Sequence, residues 1–122
     1  MLFLRFLTLT AVVFLFCACS DSGEIDENNP PTAIFSFIPE NADTSTIFTF
    51  DASASSDIEN PRGLLLYKWD FEGSHNWISS ENDPIVNYKY TKPGIYTVVL
   101  KVIDVEGWTG KTSKTVIVKD TL

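Results

Sequence analysis

Histidine, methionine and cysteine are nearly missing from this chain of 122 residues, which holds one His, one Met and two Cys. With so few imidazoles and thiols, and no Ser beside a plausible base, the usual nucleophile and acid–base sets cannot be assembled. The composition therefore reads as that of a protein without catalysis. Basic charge is scarce too: nine Lys+Arg face 16 Asp+Glu, a net charge of −7 with no Lys/Arg cluster. Nucleic-acid binding rests on neutralising phosphates, so nucleic acid is excluded as a partner. Bilayer-spanning runs are also lacking. The uncharged run Phe6 to Phe16, free of Gly and Pro, is eleven residues long, well short of the ~20 that cross a membrane as a helix. What the chain does have is apolar and aromatic: 44% hydrophobic residues, with nine Phe and three Trp. That is too much for a disordered acidic tail and about right for one folded domain.

The Phe6 to Phe16 run follows a single positive charge, Arg5, and has the proportions of a secretory h-region. It is apolar on every side and shows no amphipathic stripe, which argues against a core helix. Phe16-Cys17-Ala18-Cys19-Ser20 resembles the lipobox of bacterial lipoproteins, in which a small residue precedes the Cys that becomes the lipidated first residue. Cys19 after Ala18 fits that role better than Cys17 after Phe16. The resemblance implies a signal peptide over residues 1–18 and a bilayer anchor through acylated Cys19. Several acyl chains hold firmly where one holds weakly. The single remaining Cys would be acylated, so no intramolecular disulfide is expected.

Residues 19–30 are polar and acidic and run into the Pro30-Pro31 pair, the composition of a solvated, flexible tether. Ser20-Asp21 directly after Cys19, with acids following, resembles the signal that exports some Gram-negative lipoproteins to the outer face of the outer membrane. The expected location is therefore the outer membrane and cell surface. Without Arg5 the charge is 8 − 16 = −8, better suited to an external surface than to an anionic inner leaflet.

From Thr32 onward, β-branched and aromatic runs alternate with Gly, Pro, Asn, Asp and Ser, and no long helical stretch occurs. Period-two alternation places Ala33, Phe35 and Phe37 on one face of a strand over residues 32–38, and Phe48 and Phe50 on one face of 46–51. Residues 64–71 put Tyr67, Trp69 and Phe71 together, and 96–104 do the same for Tyr96, Val98, Leu100 and Val102. Residues 85–90 read as a weaker strand, and 112–118 close the chain with Val116 and Val118. The sum is an all-β, single-domain, immunoglobulin-like two-sheet sandwich of about seven strands, over residues 31–119.

Five motifs stand in order: Pro31-Thr32-Ala33, Phe50 to Asp57, Trp69-Asp70-Phe71-Glu72-Gly73, Tyr90 to Val98, and Val102 to Gly107. Together they resemble a PKD domain. The resemblance implies the sandwich fold, and a module that binds or spaces rather than catalyses. Trp69 is expected between the sheets as the largest single burial. Pro93-Gly94 is expected to turn the chain so that the Tyr96 phenol bonds back to backbone, in the manner of a tyrosine corner. Asp51 and Asp70 at strand ends read as acceptors of turn N–H groups.

Two kinds of candidate site follow. In an immunoglobulin-like sandwich the loop after strand two, the last hairpin and the segment before strand one share one end. There they would gather Asp57 and Glu59, Asp104 and Glu106, and Asn28 or Asn29. The expected calcium set is Asn29, Asp57, Glu59, Asp104 and Glu106, since hard cations want six to eight oxygens. Some PKD domains bind calcium at this pole, although Glu59 stands where the family pattern has Asp. The alternative reading is that these acidic loops simply point to water. Trp77, in a loop altered by Glu72 at the far end of the sandwich and expected to project away from the membrane, and Trp108, at a hairpin tip between Gly107 and Gly110, are the ligand-binding candidates. Exposed indoles stack on sugars or anchor protein interfaces. His75 reads as a solvated loop residue. Val99, Ile103 and Ile117 would form an outward apolar patch. The expected function is a surface lipoprotein whose PKD domain is a protein-protein or cell-surface interaction module. The alternatives are a carbohydrate-binding module using Trp77 or Trp108, and a structural spacer.

Overall fold

The structure, a computed structural model, describes residues 27–121. The expected leader at 1–18 and the lipidation residue Cys19 lie outside the described residues.

Among the described residues eight strands form two sheets. Strands β1 (Ser36–Ile38), β3 (Phe48–Asp51) and β6 (Ile85–Tyr88) make an antiparallel three-stranded sheet with β3 in the centre. Strands β2 (Asn41–Asp43), β8 (Thr109–Lys119), β7 (Gly94–Ile103), β4 (Leu66–Asp70) and β5 (Ile78–Glu81) make the other, in that order. Between β1 and β2, Pro39-Glu40 carries the chain from one sheet to the other, and β2 then runs parallel to β8. Pro39 brings no N–H to a ladder, so β1 stops before it.

The alternating pattern explains the core. Phe48 and Phe50 from the small sheet, with Phe35 just before β1, face Tyr67, Trp69, Phe71, Val98, Leu100, Val102, Val116 and Val118 from the large one, and all are buried. Each such side chain contributes roughly 1.5–3 kcal/mol of burial. Tyr90 is buried as well and donates its hydroxyl to the Phe71 carbonyl at 2.9 Å. Tyr96 donates to the Lys92 carbonyl at 2.7 Å, the back-bond expected after Pro93-Gly94.

The strand boundaries differ from the sequence expectation in informative ways. Thr32 forms only a bridge to Ser56, and Leu64 belongs to a short 3-10 turn, Arg62–Leu64. Strands β2 and β5 were not expected at all. Both are short sheet edges of mixed polarity, Asn-Ala-Asp and Ile-Ser-Ser-Glu, and carry no alternation to read. Pairing with β8 and β4 makes them strands.

The N-terminal segment is fastened rather than loose. Ser55, fully buried, donates its hydroxyl to the Ile34 carbonyl at 2.9 Å and accepts the Ile34 N–H at 3.0 Å. Gly110 on β8 lets this segment lie close, because a Cβ there would collide with the Pro31 carbonyl.

Candidate functional site

The five-stranded sheet turns one face to the core and one to solvent. On β7 the core takes Tyr96, Val98, Leu100 and Val102, so Ile95, Thr97, Val99, Lys101 and Ile103 project outward. Register across β4, β7 and β8 then aligns Lys68, Lys101 and Lys111 in one cross-strand row. Toward one end of the sheet follow Asp70, Val99 and Ser113, then Thr97 opposite Thr115, then Ile95 opposite Ile117. The apolar patch expected from Val99, Ile103 and Ile117 is thus divided: the lysine row separates Ile103 from the other two.

Trp77 reaches this face through the loop after β4. Asp70, 2% exposed, organises that loop by accepting four backbone N–H groups. Its Oδ1 takes those of Glu72 (3.2 Å), Gly73 (2.9 Å) and Ser74 (3.2 Å), and its Oδ2 takes that of His75 at 2.8 Å. Burial opposes the charge, yet these four donors hold the Asp70 pKa below the usual carboxylate value. Positive φ at Gly73 (71°) and His75 (62°) bends the loop back. Trp77 therefore lies half-buried over the sheet instead of projecting from the end of the sandwich. The Lys101 ammonium sits 4.2 Å from its ring centroid and that of Lys111 5.8 Å away. Such cation–π contacts are worth roughly 0.5–1 kcal/mol at exposed sites. Desolvation, then the charges of Lys111 and Lys68, hold the Lys101 pKa below the ordinary lysine range.

Beside Trp77 opens a groove of about 430 Å³, lined also by His75, Thr97, Val99 and Lys111. Asp70 and Glu72 border it, but Glu72 Oε1 is engaged by the Tyr88 hydroxyl at 3.0 Å. Burial, and then this bond, push the Tyr88 pKa up to about 12.

The opposite feature is an acidic pole. Asp104, 2% exposed, accepts the N–H groups of Glu106 (2.9 Å) and Trp108 (2.8 Å) on Oδ1 and the Asn28 amide on Oδ2 at 2.7 Å. Asp57 Oδ1 accepts from the backbone of Glu59 (3.0 Å) and Asn60 (2.8 Å). The Asn29 amide donates to Glu59 Oε1 at 2.6 Å. Trp108, 54% exposed, stands on the β7–β8 turn beside this pole.

A family model described as the PKD domain matches residues 28–119. The chain belongs to the PKD domain family. Solved PKD domains agree with it in fold. The PKD1 domain of Vibrio anguillarum Epp is 30% identical with a TM-score of 0.59, over 78% of this chain and 100% of that one. The PKD1 domain of the Vibrio cholerae metalloprotease PrtV is 29% identical with a TM-score of 0.58, over 76% of this chain and 100% of that one. A structure described in terms of the promiscuous specificity of carbohydrate-binding modules from the β-sandwich superfamily is 38% identical with a TM-score of 0.70. The match covers 78% of this chain but only 36% of that one. Among curated proteins none matches significantly. PKD domains are non-catalytic modules, which agrees with the scarcity of catalytic side chains.

The PKD match begins at residue 28, where Asn28 and Asn29 are already docked on Asp104 and Glu59. The last residues of the expected flexible tether are therefore part of the domain. Of the residues expected to hold calcium, Asn29 meets Glu59 and Asp57 accepts the Glu59 N–H, while Asp104 meets Asn28. Among the described residues no three His, Cys, Asp or Glu side chains group into a metal cage. Two oxygens there, Asn28 Oδ1 and Asp57 Oδ2, are nevertheless buried without a hydrogen-bond partner, beside a cavity of about 350 Å³ lined by Asn28, Glu59, Asn60 and Glu106.

Proposed function

We propose that this chain is a surface-displayed, membrane-anchored lipoprotein whose PKD domain is a non-catalytic recognition module working through the outer face of its five-stranded sheet. The observation that carries this reading is Trp77 folded onto that face as the wall of an open groove. Interface hot spots are enriched in Trp, and this one stands at the edge of an open groove. Anchoring through Cys19 would present the domain to the outside. Exposed Trp108 at the other end keeps a carbohydrate-binding reading open on its own account, since a bare indole can stack on sugar.

One experiment separates the two parts of the proposal. The full-length chain should sediment with membranes, and Cys19→Ala should move it to the soluble fraction; retention in the membrane would overturn the anchor. Trp77→Ala should remain anchored and melt as the parent does, yet lose roughly tenfold or more of its capture of envelope polysaccharide or surface protein. Capture that is equal in parent and Trp77→Ala would overturn the face as the recognition surface.

At the acidic pole, Asn29, Asp57, Glu59, Asp104 and Glu106 would be the residues to hold a calcium ion, which would supply positive charge between the first segment and the last hairpin. Millimolar calcium is expected to raise the melting temperature, and Asp57→Asn to remove that rise. A melting curve indifferent to calcium and to its chelation would exclude the ion.

A further inference from the structure

The groove beside Trp77 carries charge of both signs. Asp70 and Glu72 place two carboxylates on its lining and Lys111 one ammonium, while Lys101 lies outside the lining against the Trp77 ring. An anion laid there would face the two carboxylates, and a cation would face Lys111, so a charged ligand of either sign meets like charge at short range. An uncharged ligand rich in hydroxyls avoids both. Each hydroxyl donates and accepts, so one kind of group satisfies a carboxylate, the Lys111 ammonium, the His75 ring and the Thr97 hydroxyl alike. Glu72 binds the Tyr88 hydroxyl through Oε1 and retains Oε2 as a second acceptor.

The apolar part of the groove is Val99 and exposed Ile95 from the outward side of β7, with the Trp77 indole as its wall. That wall is set before any ligand arrives. The four N–H groups held by Asp70 fix the loop, and the Lys101 ammonium, 4.2 Å from the ring centroid, steadies the indole. A side chain already held loses little freedom on binding. The groove's volume of about 430 Å³ lies within the ~300–1,000 Å³ of ordinary ligand sites.

We propose that this groove binds a neutral glycan, a β-1,4-linked chain of glucose-like rings stacked on Trp77 and hydrogen-bonded by Glu72, His75, Thr97 and Lys111. The proposal rests on the recognition reading above and names its ligand class. Rings whose hydroxyls are all equatorial carry polar groups around the rim and apolar C–H bonds on both faces, which suits an indole wall beside polar side chains. The β-1,4 linkage keeps such rings in a flat ribbon, a shape that fits an open groove over a sheet face. A peptide fits less well. Extended peptides pair with a free sheet edge, amphipathic helices fill an apolar groove, and proline-rich segments dock in grooves lined with aromatic rings. This groove lies over β7, an inner strand, has a mixed lining and offers one indole.

Titration calorimetry of the full-length chain tests this, in a detergent without sugar headgroups and with cellohexaose as the probe. Binding is expected, and it should hold as sodium chloride rises, because a neutral chain has no charge to screen. Trp77→Ala should lose roughly tenfold or more in affinity while melting as the parent does, and Trp108→Ala should bind as the parent does. Oligogalacturonate, an acidic chain, and chitosan hexamer, a basic one, should each bind far more weakly. The proposal is overturned by no binding of cellohexaose, by binding that falls with salt, survives Trp77→Ala or is lost in Trp108→Ala, or by equal binding of either charged chain or of a neutral proline-rich peptide. If any of these occurs while the Trp77-dependent capture described above persists, the recognition module stands and only the ligand class falls. If that capture is absent as well, both fall.

Discussion

Trp69→Ala is expected to leave the chain without a cooperative thermal transition. The indole is fully buried and is the piece around which both sheets close. Phe35 meets it edge-on at 5.3 Å between ring centroids, Phe50 lies tilted at 5.8 Å, and Phe71 stacks at 5.8 Å. Truncating a buried Trp costs about 3–5 kcal/mol, and the broken aromatic pairs add about 0.5–1.5 kcal/mol each. A domain of this size holds only about 5–15 kcal/mol in all, with the lower end expected here. No Cys lies within the described residues, so no disulfide can compensate. Trp69→Phe makes the informative control. The indole Nε1 is buried without a partner, and an unsatisfied donor costs roughly 1–3 kcal/mol. Phe removes that donor while keeping most of the packing, so the Phe variant should still melt cooperatively. Thermal unfolding followed by near-ultraviolet circular dichroism decides the matter. A cooperative Ala variant melting near the parent temperature would show that the core closes without this ring.

The second large effect belongs to Asp70. Asp70→Ala removes the acceptor of four backbone N–H groups at a site 2% exposed. Even if the loop recovers some of them through water, the loss should be about 3 kcal/mol or more, read as a lower urea midpoint. Asp70→Asn keeps one acceptor but turns an amide toward one of the N–H groups, so an intermediate loss is expected. The pH dependence has a definite sign. The folded pKa of Asp70 lies below its ordinary value of 3.8, so its stabilisation is complete above that value. It fades as pH falls from 3.8 toward the folded pKa. The parent should therefore lose stability over that acidic window more steeply than Asp70→Asn. Parallel slopes would mean that the loop donors do not hold the charge. The same loop carries Trp77, so Asp70→Ala should also disturb the recognition face, whereas Trp69→Phe should leave it in place.

The core positions were legible because each strand states its face twice. Phe48 and Phe50, Tyr67 and Trp69, and Val98, Leu100 and Val102 alternate with polar or smaller neighbours, and every one of these seven is buried. At the acidic pole, Asn28 and Asn29 meet Asp104 and Glu59 through pairings across 76 and 30 residues. Edge strands β2 and β5 were not legible, because an edge residue is made a strand by its neighbour's free ladder and carries no alternation of its own. The lysine row was hidden for a related reason. Lys68, Lys101 and Lys111 are each unremarkable in sequence, 43 residues apart from first to last, and no local pattern links them.

By itself the chain determined the fold class and the identity of the core, because burial on a pleated strand is written in nearest-neighbour alternation. It also named Trp77 as a candidate but had it project from the end of the sandwich, so where the ring points was not legible. Only the tertiary structure decided that. The register of three strands brought the lysines into one row, and the four N–H groups gathered by Asp70 folded the loop so that Trp77 lies on them. Both depend on pairings between distant segments, which a linear pattern does not encode.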